Sequence, residues 1–375
     1  MTTPSPSSRL GLFARGVKVL DLSAFLPGPL ASLLLADMGA EVLKIEPPTG
    51  DAMATIGPRD ASGRPVFYET VNAGKRVRQM DLKQPAARAE FLCLAAEADV
   101  LIDGFRPGVM QRLGIGAELL RAINPGLIIC SLSGYGAAGP HAMAAGHDAN
   151  YLAEAGVLHR NGQDAPVIYD PPVSDVSGSL FGVIAILGAL RAREVDGRGC
   201  EIDIALADTA MPLQLFPIAE HGSTGAVPQP RATYLNGGAA YYQVYPTADG
   251  RHVALGAIEA KFWQAFCTTA GLSDWIARQS EALPQTALIA DVAAFFASLS
   301  LADCLARFAD TDCCLSPVRD LGEAIASPHH TARGLVRRSA GGALQALFPA
   351  LIDGVAPVER APLAHFQPTG ITCPT

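Results

Sequence analysis

The stretch Ser131–Tyr151, SLSGYGAAGPHAMAAGHDANY, decides how this chain is read. The apolar run Leu127 to Cys130 leads into it, a glycine-rich loop follows, and it closes on His147 and Asp148 before an alanine-rich helical pattern. A buried strand opening into such a loop is where α/β proteins tend to place chemistry. Gly134-Tyr-Gly136-Ala-Ala-Gly139 has the G-x-G-x-x-G spacing of a dinucleotide fingerprint and follows a strand. That fingerprint must open a helix whose N-terminus holds the pyrophosphate, whereas Pro140 follows at once and Gly146 soon after. The spacing is therefore read as a loop that lets a ligand approach the backbone. An NAD-dependent oxidoreductase is the reading the glycine motif alone would support.

Outward from this loop, apolar runs alternate with helical patterns. Residues 17–22 read as a strand, Pro27-Gly28-Pro29 as a break, residues 31–38 as a helix ended by Gly39, and residues 41–45 as a second strand. A helix over 86–98 and a strand over 100–102 continue the βαβ rhythm. Beyond the loop, a helix runs from His147 to Gly156, another from Leu180 to Arg191, a strand covers 200–204 and a helix starts at Ala207. Gly222 to Pro230 is rich in Gly and Pro and reads as a linker. Residues 241–245 and 251–255, separated by Ala248-Asp249-Gly250, read as a hairpin. The expectation is an α/β chain with a Rossmann-like large domain over 1–222, a linker and small α+β domain over 223–329, and a tail over 330–375 returning to the large domain.

At 375 residues the chain is long enough for two cores. It is 49% hydrophobic and only 17% charged, a balance that suggests apolar area hidden against a second copy. The net charge of -8 argues against nucleic acid. No uninterrupted apolar run reaches the roughly 18 residues of a membrane span. The stretch MTTPSPSSRL lacks the apolar core of a signal peptide. A cytoplasmic protein with no membrane partner is expected. Eight cysteines without paired metal spacing read as reduced thiols.

Lys75, Arg76 and Arg78 form a small basic cluster, either a solvated turn or an anion site. Arg106 falls just past a strand, where open parallel sheets bind ligands, and Phe105 could stack on an aromatic base. Arg112 is a further phosphate candidate. Asp175 opens a helix and suits an N-cap as well as chemistry. His141, His159 and the pair His329-His330 have no supporting pattern and read as surface groups.

From about Val17 to His329 the chain resembles the family III CoA-transferase superfamily, and within it the α-methylacyl-CoA racemases. The segments that carry the likeness are GVKVLDLSAFLPGP, LLADMGAEVLKIEPPTGD, NAGKRVRQMDLK, ADVLIDGFRPGVMQRLG, SLSGYGAAGP, GHDANYLAEAG, PVSDVSGS and YYQVYPTADGRHVALGAIE. The resemblance implies two domains, interlocked rings in a homodimer, and CoA on the large domain of one subunit with its acyl end near the small domain of the other. Lys75, Arg76, Phe105, Arg106 and Arg112 would then meet the nucleotide end of CoA. It also implies a choice of chemistry. Transferases in this superfamily attack the thioester with an aspartate at the position of Asp175, whereas racemases keep a histidine in GHD, the aspartate of SDVSG and a glutamate after G-A-I. Here these are His147, Asp175 and Glu259.

Inverting a carbon beside a thioester needs a base on one face and an acid on the other. An imidazole and a partly desolvated carboxylate suit the task, since burial raises the carboxylate's pKa. The intervening enolate needs donors, for which backbone N–H groups at the helix opened by Asp175 are candidates. Glu259 is expected to orient or charge His147, and Asp148 to bind amides at a helix start. The sequence thus points to acyl-CoA racemisation with no metal or redox cofactor beyond the CoA of the substrate, with CoA transfer through Asp175 as the alternative.

Overall fold

The structure, a computed structural model, describes residues 8–163 and 165–366. The first seven residues and the last nine residues of the expected returning tail lie outside the described residues. The chain divides into two compact units, one of residues 1–155, 169–213 and 327–375, the other of residues 156–168 and 214–326.

In the first unit β1 (Lys18–Asp21) leads to α1 (Pro27–Asp37), β2 (Glu41–Glu46), α2 (Val66–Asn72) and β3 (Arg76–Gln79). Then come α3 (Pro85–Glu97), β4 (Val100–Asp103), α4 (Val109–Arg112), α5 (Ala117–Ile123) and β5 (Ile128–Ser133). Next follow α6 (Asp148–Glu154), α7 (Val173–Asp196), β6 (Glu201–Ala205) and α8 (Leu206–Thr209). Pro27-Gly28-Pro29, read as a break, instead forms the first turn of α1, where a missing proline N–H costs no helical bond.

The second unit comprises α9 (Leu215–Thr224), β7 (Tyr242–Pro246), β8 (His252–Gly256), α10 (Ala260–Ala270), α11 (Thr286–Ala297), α12 (Leu301–Arg307), β9 (Leu315–Pro317) and α13 (Leu321–Ala326). Its three strands form an antiparallel sheet in the order β7-β8-β9, with Tyr245 opposite Val253. Trp263, Phe266 and Phe296 are fully buried beneath it. The Gly/Pro-rich run over 222–230 lies inside this unit rather than dividing the chain, because Asn236 Nδ2 donates to the carbonyls of Gln229 and Arg160 and ties both segments down.

The chain re-enters the first unit through α14 (Pro328–Arg333), the hairpin β10 (Val336–Arg338) and β11 (Leu344–Ala346), and β12 (Ala364–His365). β12 completes a seven-stranded parallel sheet in the order β12-β3-β2-β1-β4-β5-β6. Alternate strand residues feed two apolar layers. Val19, Val100 and Ile102 pack with Leu35 of α1 and Ile186 of α7, while Leu20, Leu101 and Ile129 pack with Phe91 of α3 and Leu120 of α5. By length and composition α7 is apolar enough to cross a bilayer, yet it packs on α1, β5 and β6 with Gly182, Val183 and Ile186 buried.

Beneath the carboxyl end of β1 lies a buried group of charges. Asp21 Oδ2 accepts from Lys75 Nζ at 3.3 Å, and Lys44 Nζ bridges Asp51 Oδ2 at 2.9 Å and the Ser23 carbonyl at 2.6 Å. Burial alone would raise the Asp21 pKa, but Lys44 and Lys75 outweigh it and hold the carboxyl below the usual range. Cys93 is disulfide-bonded, unlike the reduced thiols expected throughout. Asp21→Asn should lower stability by about 3–5 kcal/mol, since it leaves buried ammonium groups short of charge. Arg76→Ala, which breaks an exposed pair with Glu41, should cost less than about 1 kcal/mol. Urea unfolding of both variants checks the contrast.

Candidate active site

The strand order reverses between β1 and β4: the chain moves from β1 outward through β2 and β3, then returns beside β1 to build β4, β5 and β6. Ligands in open parallel sheets bind beyond the carboxyl ends of the strands at such a point. Both strands end in an aspartate that bends the loop after it. Asp21 Oδ1 accepts from Ser23 N at 2.9 Å and Asp103 Oδ1 from Phe105 N at 3.0 Å, the same two-residue Asx geometry on neighbouring strands. Asp103 is buried, also accepts from Ser131 Oγ at 2.6 Å, and has its pKa raised by burial.

A cavity of about 250 Å³ opens over these ends. Ala24, Phe25 and Gly28 line it after β1, Phe105 and Arg106 after β4, Ser133 and Gly134 at the end of β5, with His147, Tyr151 and Asp175 completing it. His147 and Asp175, 28 residues apart in the chain (175 minus 147), therefore share one wall system.

Asp148 is what joins them. It is the first residue of α6, but its buried carboxylate reaches the start of α7, accepting from Ser174 N at 2.7 Å and Asp175 N at 3.1 Å. Those amides have no partner inside their helix, and Asp148 supplies it. The amide of Val176 in turn bonds the Pro172 carbonyl at 3.1 Å. The amides proposed from the sequence to stabilise an enolate are thus already engaged. His147 caps α6, with its N–H donating to Asn150 Oδ1 at 3.0 Å, and its side chain is exposed.

Burial, and after it the Asp148 charge, raise the Asp175 carboxyl to about 6, while His147 pulls the other way. The result is a carboxyl that exchanges its proton near neutrality. Two tyrosines hold the loop around it. Tyr151 Oη donates to the Gly146 carbonyl at 2.6 Å, and Tyr135 meets Tyr151 edge-on at 5.3 Å between centroids. The glycines of the misleading motif serve this packing and the loop's turns. A Cβ on Gly134 would lie 2.6 Å from Tyr151 Oη, and Gly136 and Gly139 have φ of +78° and +98°.

The remaining candidates divide. Phe105 and Arg106 line the cavity; Arg112 ends α4, exposed, and does not. Lys75 does not meet a CoA phosphate: its side chain is fully buried and its three N–H groups face Asp21, the Pro29 carbonyl and Asn72. Arg76 does not line the cavity either: it pairs with Glu41 at the amino end of β2 and lies 5.3 Å from the Phe366 ring, away from the carboxyl ends. Glu259 belongs to the second unit, exposed at the N-cap of α10. Phe25 and Tyr151 were missed; an aromatic in the loop after β1 was the only sequence signal for Phe25, and Tyr151 lies within α6.

A family model described as CoA-transferase family III matches residues 15–362. The chain belongs to that family. It is 34% identical over 325 residues to an alpha-methylacyl-CoA racemase of Homo sapiens, covering 85% of this chain and 81% of the relative. An acetyl-CoA:oxalate CoA-transferase of Acetobacter aceti is 38% identical over 232 residues, 61% of this chain and 59% of the relative. The crystal structure of a CAIB/BAIF family protein from Brucella suis superposes with a TM-score of 0.82 at 28% identity, over 94% of this chain and 96% of that one.

A carboxyl raised to about 6 binds its proton more tightly in the folded state than its ordinary 3.8 allows. Its contribution to stability is present at pH below about 4 and is lost as pH rises through about 6. Asp175→Asn should therefore gain on the wild type by about 2 kcal/mol between pH 4 and pH 8, a figure reduced for partial exposure. Denaturation at both pH values measures the gain.

Proposed function

We propose that this family III enzyme is an α-methylacyl-CoA racemase, epimerising 2-methylacyl-CoA thioesters by 1,1-proton transfer. The observation that carries the reading is the shared cavity of His147 and Asp175, with the carboxyl poised near neutrality. One group removes the α-proton, the C–H electron pair moves into the thioester carbonyl to form an enolate, and the other group protonates the opposite face. For the other enantiomer the roles exchange. The net reaction is redox-neutral, and the reading assigns it to side chains alone.

The CoA nucleotide is assigned to Phe105, Arg106 and Arg112, which follow the carboxyl end of β4. Glu259 is assigned to orient or charge His147, and an interlocked homodimer belongs to the same proposal. The exposed apolar residues Leu215 (68%), Phe216 (70%) and Ile218 (46%), together on α9, favour such a dimer. Residence in the cytoplasm belongs to the same proposal. The second reading is CoA transfer with Asp175 as nucleophile, favoured by the similarity to the Acetobacter transferase.

Incubation of a 2-methylacyl-CoA in D₂O, followed by NMR, tests the choice. Deuterium should enter the α-carbon, and His147→Ala and Asp175→Ala should each slow it by about 10²–10⁴-fold. Transfer of CoA to an added free acid, without α-exchange, would give the transferase reading the site instead.

A further inference from the structure

The loop between β1 and α1 presents an aromatic residue to which the proton transfer gives no role. Phe25 lines the cavity with His147 and Asp175 and is 45% exposed. Its φ is +64°, in the left-handed region where a β-carbon is sterically penalised. Among the described residues the other non-glycine cases are Arg231, Cys314 and Asp353, none of which lines this cavity. Glycine would relieve the conformation, so the ring is retained at a steric cost.

The surroundings enforce that conformation. Ser23, two residues earlier, is gripped by Asp21 through its amide and by Lys44 through its carbonyl. Gly28 approaches so closely that an added Cβ would lie 2.1 Å from the Ser23 Cβ. On the far side of Phe25, the Pro27 carbonyl accepts from Ser179 Oγ at 2.8 Å, and the same hydroxyl lies 2.9 Å from the Asp175 carbonyl. Phe25 is thus fixed on one side by a buried charge lattice and on the other by a hydroxyl shared with Asp175.

The cavity, about 250 Å³, is smaller than the roughly 300–1,000 Å³ of pockets that enclose a whole ligand. A space of that size suits the reacting fragment of a ligand rather than the whole of one, so a ring in its wall on a constrained backbone bears on what surrounds the reacting carbon. We propose that Phe25 is the specificity-determining wall of this site, setting how large a group the α-carbon of an acyl-CoA can carry. The proposal rests on the reading of the site as an acyl-CoA acid–base pair.

The test compares wild type, Phe25→Ala and Phe25→Gly on 2-methylpropanoyl-CoA and 2-phenylpropanoyl-CoA. The kcat/KM for α-deuterium exchange and, separately, the Kd of each thioester by calorimetry are measured. The aryl-to-methyl ratio of kcat/KM should rise at least tenfold in both variants, with no fall in the thermal midpoint of Phe25→Gly. A ratio within twofold of the wild type's in both variants overturns the proposal. If no thioester exchanges with the wild type, the racemase reading fails and the Kd series decides the wall alone: a tenfold relative gain for the aryl ester supports it, equal changes for both esters refute it.

Discussion

One buried carboxylate arranges the candidate site. Asp148 sits beside His147 and spends both of its strong contacts on the first amides of α7, which carries Asp175. An N-terminal turn buried without acceptors would lose the bonds that water supplies to an exposed one, so the two segments are held together by the need to satisfy those amides. The same contact brings a second negative charge close to Asp175, adding to the burial that raises its pKa. Placement of the acid and adjustment of its proton affinity thus have a common origin.

A second set of fixed charges holds the floor. Asp21, Lys44, Lys75 and Asp51 are buried around the ends of β1 and β2, pair in charge with one another and hold the backbone of the β1–α1 loop. Asp103 does the same for the loop after β4. Residues that could accept a ligand are exposed on these loops, while those that fix the loops are buried beneath them. A rigid floor suits a reaction in which two groups must bracket one carbon at near-contact distance.

Much of this was legible in the letters. The apolar runs predicted β1, β2, β4 and β5 to within a residue or three, because strands buried on both faces read as continuous hydrophobic runs, and the turn Ala248-Asp249-Gly250 marked the half-exposed β7–β8 hairpin. His147 and Asp175 were legible through the GHD and SDVSG segments, and the structure lines one cavity with both. The apolar helix expected over Leu180 to Arg191, opened by Asp175, runs from Val173 to Asp196, with Gly178 and Gly182 inside it. A Cβ on Gly178 would lie 2.2 Å from Leu206, and on Gly182 3.4 Å from Leu132, so both admit close packing. Lys75 misled because a lysine in a basic run reads as solvated, and its partner Asp21 lies 54 residues away. The role of Asp148 was half legible: amides at a helix start were expected, but the helix is α7, a long-range contact that local spacing does not encode.

The central claim is that His147 and Asp175 face the same carbon of a CoA thioester. Its most direct test is a crystal structure of the protein with a bound 2-methylacyl-CoA. The account expects the α-carbon about 3–3.5 Å from both the His147 imidazole and the Asp175 carboxylate, on opposite sides. A thioester carbonyl carbon seated against Asp175, with His147 out of reach of the α-carbon, would contradict it.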